Sequence, residues 1–254
     1  MKNMANLLSL SILTVVLSGC MIQVNAKSAD VTLQENLSLD AGSLNKFDIE
    51  AGAGSLEIRG DASSTEIQVQ ANIRTTEDKN YTLELDQSGS TARLVAKHHS
   101  HNGSWYGSSP KIDLIIIMPD SLMLDIDDGS GEIEVSNIGN ALNLKDGSGS
   151  ATIENIKGNV KIDDGSGGLT ITGVQGNIEL EDGSGSLVVS NVTGNVEIDD
   201  GSGSLSVKDV SGKVTIDDGS GGISVKRAGA LKIIDAGSGG LSISDIEGET
   251  DIDS

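Results

Sequence analysis

The tetrapeptide Asp-Gly-Ser-Gly begins at Asp128, Asp146, Asp164, Asp182, Asp200 and Asp218, and the variant Ala236-Gly237-Ser238-Gly239 closes the series at the same 18-residue interval. A strict period without insertions marks a chain built from stacked units. Each unit is too small to bury its own apolar face and is stable only against its neighbours.

Counting each repeat from its Asp, apolar residues fall at positions 6, 8, 11, 15 and 17. They are Leu169, Ile171, Val174, Ile178 and Leu180 in one copy, and Leu205, Val207, Val210, Val214 and Ile216 in another. Positions 6 and 8, and again 15 and 17, alternate with polar neighbours, a period of two that predicts two short strands per repeat. Asp-Gly-Ser-Gly forms one connection between them. A Val-x-Gly-Asn segment such as Val174-Gln175-Gly176-Asn177 or Val192-Thr193-Gly194-Asn195 forms the other, and its Gly and Asn accept the positive φ of tight corners. Identical coils without a helix stack most simply in parallel, every strand bonding to its counterpart 18 residues away. The predicted fold is all-β: a parallel β-solenoid of 18-residue, two-strand coils, capped at its N-terminal end by an irregular β region.

One copy is out of phase. In Ala228-Gly229-Ala230-Leu231-Lys232-Ile233-Ile234 a lysine takes position 15 and its neighbours become apolar, which predicts a bulge or slipped strand. The last coil, from Leu241 to Ser254, carries no capping helix and should leave an open edge. There Glu247, Glu249, Asp251 and Asp253 would discourage end-to-end addition.

Composition agrees with thin layers. The only aromatic residues are Phe47, Tyr81, Trp105 and Tyr106, so the core must be Val, Ile and Leu, and the 33 glycines recur regularly instead of clustering as a linker would. Seventeen Lys+Arg against 38 Asp+Glu give a net charge of -21, which excludes nucleic acid as a partner and leaves cations or a basic surface.

At the N-terminus, Lys2 precedes an apolar stretch from about Leu7 to Leu17, too short to span a bilayer and suited to a signal peptide. The following Leu17-Ser18-Gly19-Cys20 resembles a bacterial lipobox. That resemblance implies cleavage before Cys20, lipidation of its thiol and a membrane partner held through the lipid, and Met21 implies outer-membrane sorting if the cell is Gram-negative. Ordinary signal cleavage after Val24-Asn25-Ala26 is the alternative. Either way the exported chain has no disulfide. The expected organisation is a signal peptide at 1–19, a tether at 20–27, an N-terminal β region at 28–118 and the repeat array at 119–254.

Within 28–118 the segment Ala51-Gly52-Ala53-Gly54-Ser55-Leu56-Glu57-Ile58 echoes the repeat and predicts a degenerate first coil, accompanied by longer antiparallel strands that cap the solenoid. The strand Ile112-Asp113-Leu114-Ile115-Ile116-Ile117-Met118 is expected to pair with the strand around Ala92 to Lys97. This would leave 97–110 as an exposed hairpin loop.

Three features bear on chemistry. Stacked corners would align Asp128, Asp146, Asp164, Asp182, Asp200 and Asp218 about 4.8 Å apart, doubled by Asp127, Asp163, Glu181, Asp199, Asp217 and Asp235. Adjacent carboxylates at that spacing repel, so turn N–H groups donated to Asp and solvent screening, or bridging calcium, must compensate. The Gly-Gly-x-Gly-x-Asp order of calcium β-rolls is absent, which favours turn chemistry and leaves the six Asp as weak metal candidates. His98, His99 and His101, with Trp105 and Tyr106, form the most unusual surface segment, a candidate contact for a partner. Gly-Ser-Gly is no phosphate loop, because no helix follows it.

The run Ile115-Ile116-Ile117-Met118-Pro119, through Leu122-Met123-Leu124-Asp125-Ile126, into Gly129-Ser130-Gly131-Glu132-Ile133-Glu134-Val135 resembles the bacterial "putative adhesin" family of β-strand-repeat proteins. The resemblance covers most of 45–254. It implies an exported or surface-associated β-solenoid and brings no enzymatic activity or cofactor with it. Two enzyme classes on comparable solenoids fit poorly: the aliphatic six-residue period of hexapeptide acyltransferases is missing, and Arg59, Arg74, Arg93 and Arg227 are scattered rather than gathered in a cleft. The functional expectation is a non-enzymatic envelope lipoprotein serving in binding or surface structure, at the periplasmic face or cell surface, with an envelope protein or glycan as partner. A calcium-dependent solenoid is the alternative, and a glycan-active enzyme ranks third.

Overall fold

The computed structural model describes residues 26–99 and 104–253. The signal segment, Cys20 and His101 lie outside the described residues. Apart from a short parallel pair, β1 (Ala26–Lys27) with β8 (Ser104–Trp105), the strands form two ladders. Strands are numbered in chain order.

The first ladder runs from β6 (Tyr81–Ser88) to β7 (Thr91–His98), β3 (Lys46–Ala51), β10 (Met123–Asp128), β12 (Leu142–Asp146), β14 (Val160–Asp164), β16 (Ile178–Asp182) and β18 (Val196–Asp200). It continues through the C-terminal halves of β19 (Gly203–Asp218) and β20 (Gly221–Asp235) to β22 (Thr250–Ile252).

The second ladder runs from β2 (Val31–Asp40) to β5 (Glu66–Thr75), β9 (Lys111–Pro119), β4 (Leu56–Asp61), β11 (Gly131–Ile138), β13 (Gly149–Ile156), β15 (Gly167–Val174) and β17 (Gly185–Val192). The N-terminal halves of β19 and β20 and then β21 (Leu241–Ile246) complete it. From β3 and β4 onward every pairing is parallel, so each coil gives one strand to each ladder and the array is the predicted β-solenoid.

The registers show why an 18-residue period works. Leu144, Ile162, Leu180, Ile198 and Ile216 are successive partners in one ladder, and Ile153, Ile171, Val189, Val207 and Val225 in the other. Like stacks on like at the ladder spacing, and all of these side chains are buried in one core that runs from Ala41 to Ile233. Position 11 also faces inward, although strict alternation from position 8 would turn position 10 in. The extra residue is absorbed by a left-handed backbone at position 10, where Asn137, Asn155, Gly173, Asn191, Asp209, Arg227 and Asp245 have φ between 57° and 74°. The positive φ therefore precedes the Val of Val-x-Gly-Asn instead of falling on its Gly or Asn.

At the second corner the Asn side chains form a ladder of their own. Asn159 Oδ1 accepts the Asn177 N–H at 2.9 Å, Asn177 Oδ1 accepts that of Asn195 at 2.8 Å, and Asn195 Oδ1 accepts that of Lys213 at 2.9 Å. At the first corner the second glycine is obligatory. Gly185 has φ +148°, and a Cβ there would sit 1.6 Å from the Gly167 carbonyl oxygen.

The out-of-phase copy is bulged as expected. Between β19 and β20 the register shifts twice: Lys213 pairs with Ala230, one residue early, and Asp217 pairs with Asp235 after Ile216 has paired with Ile233. A corner shortened by one residue is thus compensated by an extra one, Ile234, which is left 44% exposed while Leu231 and Ile233 stay in the core.

The N-terminal region contains the predicted degenerate coil, β3 and β4, which stack directly on β10 and β11. Outside them lies a further coil made of β7 and β9. The antiparallel pairs β6–β7, β5–β9 and β2–β5 then close the end. The expected pairing of Ile112–Met118 with Ala92–Lys97 is not made. β7 and β9 belong to opposite ladders, each parallel to one strand of the first coil, so the chain between them crosses a corner and is not a hairpin loop. β9 is sandwiched between β4 and β5 with both edges paired; Ile112, Leu114, Ile116 and Met118 of its apolar run are in the core, while Ile115 and Ile117 are exposed on the outer face. At the other end β21 and β22 each have a single partner among the described residues, the open edge that was expected.

Candidate functional site

The six repeat Asp residues are the last of each first-ladder strand, and their side chains point into the core. Asp128, Asp146, Asp164, Asp182, Asp200 and Asp218 are each at most 4% exposed, and apart from Thr75 they are the only buried polar residues described. Solvent screening, expected from a corner position, does not reach them. The turn bonds do form: Oδ1 of Asp146, Asp164, Asp182, Asp200 and Asp218 accepts the N–H of the Ser two residues later at 3.1–3.2 Å. Oδ2 of all but Asp164 is buried without a partner.

Desolvation raises the pKa of every member of this column. Asp128 is pushed up to about 7 by burial and by Asp146, and Asp164 and Asp200 to about 6 by burial and by the Asp above and below. Asp146, Asp182 and Asp218 move in the same direction, burial being the first cause. Protonation removes the cost of stacking charges in an apolar corner. The outer row of Asp127, Asp163, Glu181, Asp199, Asp217 and Asp235 faces away from the core. Among the described residues no group of three or more His, Cys, Asp or Glu side chains is placed to hold a metal ion.

A concave feature with mixed charge lies at the second corner, where the cap meets the array. It is an open groove of about 560 Å³ lined by Arg59 and Asp61 from the end of β4, Asp120 from the crossover into β10, Asn137, Asn155 and Gly173 at position 10, and Lys157 and Gln175 at position 12. Asp120 is fixed by its carbonyl, which accepts the Gly139 N–H at 2.8 Å, and its Oδ2 lies 3.7 Å from Lys157 Nζ. Asn155 Nδ2 donates to Asn137 Oδ1 at 3.3 Å. Bonds from the Ser63 hydroxyl and N–H hold Asp61 below the usual carboxylate range. The arrangement offers two cations, two carboxylates and a row of amides on one surface.

Sequence reasoning did not find this groove, because Arg59 and Lys157 are almost a hundred residues apart. The one available signal was the repeated polar residue at position 10.

The histidine and aromatic segment is only partly gathered. His98 ends β7, half-buried, with its ring centroid 5.8 Å from that of Tyr81, and burial followed by the neighbouring His99 lowers its pKa. Tyr81 donates to Glu35 Oε1 at 2.6 Å, a bond that pushes its pKa up to about 12 and ties β6 to β2 across the cap. His99 Nε2 is 3.3 Å from Thr82 Oγ1. Trp105 lies in β8 beside Lys27, and Tyr106 is 79% exposed.

Among solved structures the chain is similar to a "putative adhesin" from Parabacteroides distasonis, with 10% identity over 89% of this chain and 99% of that one and a TM-score of 0.49. A "putative adhesin" from Bacteroides fragilis shows 12% identity over 86% and 100%, with a TM-score of 0.47. A "putative lipid binding protein" from Parabacteroides distasonis shows 14% identity over 90% and 100%, with a TM-score of 0.46. No curated protein matches. The sequence profile described as Toastrack DUF4097 matches residues 22–247, nearly the whole solenoid and its cap, and the chain belongs to that family.

Proposed function

We propose that this chain is a non-enzymatic binding module of the bacterial envelope, tethered to a membrane through lipid on Cys20 and presenting the groove at the junction of cap and array to a hydroxyl-rich glycan. The observation that carries the reading is the groove itself, in which Arg59, Asp61, Asp120, Asn155 and Lys157 converge on one open surface. Amides, guanidinium and carboxylates at fixed spacing suit paired hydrogen bonds to hydroxyls. The buried Asp column, by contrast, is occupied with the turns that build the scaffold and faces no cleft. An anchored rod with a lateral groove fits a role in holding or bridging envelope components.

The test is retention of the full chain on isolated envelope glycan, compared with Arg59→Ala and Asn155→Ala chains. The reading expects retention by the unaltered chain and a fall of roughly tenfold in the variants, the loss of one or two charged or bidentate hydrogen bonds. Equal retention of all three would remove the groove from the account. Turnover of the glycan would replace binding by catalysis.

A further inference from the structure

We propose that the cap end of the rod rests on the membrane, with the Trp105–Tyr106 corner seated in the lipid headgroup layer. This deepens the proposed function and rests on its lipid anchor at Cys20. Only five residues separate Cys20 from Ala26, a reach of at most roughly 20 Å even when fully extended. The chain is then pinned to the corner in question. Ala26 and Lys27 pair with Ser104 and Trp105, and the Ala29 N–H donates to the Ser108 carbonyl at 3.0 Å. Any lipid on Cys20 therefore keeps this corner within roughly 20 Å of the bilayer, nearer than the far end of the array can be held.

The chemistry of the corner suits that position. Two of the protein's four aromatic residues are adjacent here, and Tyr106, 79% exposed, is the most exposed large hydrophobic described. An indole and a phenol present an apolar body with a polar tip, the combination that favours the membrane–water interface. Arg74 donates to the Ser109 carbonyl at 2.8 Å and Lys111 pairs with Asp113, so neighbouring cations accompany Asp30 and Asp113 and the corner carries no excess of negative charge.

The rest of the rod is the opposite. Of 38 Asp and Glu, 25 lie at or beyond Asp120, against eight of the 17 Lys and Arg. An anionic lipid surface repels such an array and favours an orientation with the cap down and the array directed away.

Trp105 is the only tryptophan, so its emission reports this contact without a label. The full chain, produced in a cell that lipidates it, is reconstituted into vesicles of phosphatidylcholine with a minor share of phosphatidylglycerol, carrying bromine on the acyl chains near the headgroups. The proposal expects co-flotation with the vesicles and a roughly twofold loss of Trp105 emission relative to unbrominated vesicles, reduced in Tyr106→Ser, because an interfacial indole lies within a few ångströms of the upper acyl chains. Flotation with unquenched Trp105 overturns the proposal and leaves the anchor intact. Failure to float, with no lipid mass on Cys20, overturns the anchor and the proposal together.

Discussion

Asp164 and Asp182 are direct partners in the parallel pairing of β14 with β16, both buried, each spending one carboxylate oxygen on the serine N–H that closes its own corner. The second oxygen of Asp182 has no partner. A charge on both would place two desolvated carboxylates one strand apart. The column is thus built for an acceptor at Oδ1 and for neutrality at Oδ2.

Asp164→Asn and Asp164→Ala separate these requirements. Asn keeps the acceptor and removes the charge, so its melting temperature should equal or exceed that of the unaltered chain at pH 8, with little difference at pH 5. Ala leaves the Ser166 N–H unpaired in a half-buried corner and opens a gap in the core beneath it, and should cost about 1–3 kcal/mol at either pH. Denaturant titration at the two pH values checks both.

Glycine positions should split sharply by conformation. Gly185→Ala would drive a methyl group into the Gly167 carbonyl at a φ of +148°, and should cost more than about 3 kcal/mol or abolish soluble expression. Gly168→Ser should be neutral within about 0.5 kcal/mol. The equivalent residues in adjacent coils, Ser150 and Ser186, already carry that side chain.

The compensated bulge in β20 predicts opposite outcomes at consecutive residues. Ile234→Lys should leave the melting temperature nearly unchanged, because the side chain is already exposed. Ile233→Ser should cost about 2–5 kcal/mol as a buried aliphatic is lost and a hydroxyl is left among apolar neighbours. Thermal melts of the two variants decide it.

The Asn ladder is a test of coupling between coils. Asn177→Ala removes the acceptor for the Asn195 backbone N–H and should cost about 1 kcal/mol, while Asn195→Ala removes a separate acceptor, that for the Lys213 N–H, so the two costs should add to within about 0.5 kcal/mol. A double-mutant cycle by denaturant unfolding measures the coupling.

Much of this architecture was legible because a period of 18 constrains so strongly. Positions 6, 8, 11, 15 and 17 are the inward aliphatic ones, and the slipped copy at Lys232 showed itself by its broken alternation. The burial of the Asp column was not legible. Asp-Gly-Ser-Gly reads as a polar turn, and nothing local says that its first residue ends a strand on the inward face. The pairing of β9 was also hidden: a hairpin with β7 is the shortest connection, but β9 is inserted between β4 and β5, and that choice is made by the core of the whole cap. The groove joins Arg59 to Lys157 only after the coils have stacked.

Thermal unfolding of the full chain between pH 5 and pH 8, with calcium and with a chelator, tests the central claim most directly. The column carboxyls have folded pKa values raised above the unfolded value of 3.8, to about 6 for Asp164 and Asp200 and about 7 for Asp128. The folded state therefore binds more protons than the unfolded one in this window. Their stabilisation is fully present below the unfolded value and is lost as pH rises through the folded values. Lys145 stands on the outer flank among Asp127, Asp163, Glu181, Asp199 and Asp217, and the serine N–H groups donated to the column lower its pKa values, but burial outweighs them. The lowered pKa of His98 acts in the opposite sense, one group against six. The account predicts a melting temperature that falls by several degrees from pH 5 to pH 8 and is the same with calcium as with chelator. A melting temperature that rises with pH, or one that calcium raises by many degrees at pH 8, would contradict a column of neutral, buried carboxyls.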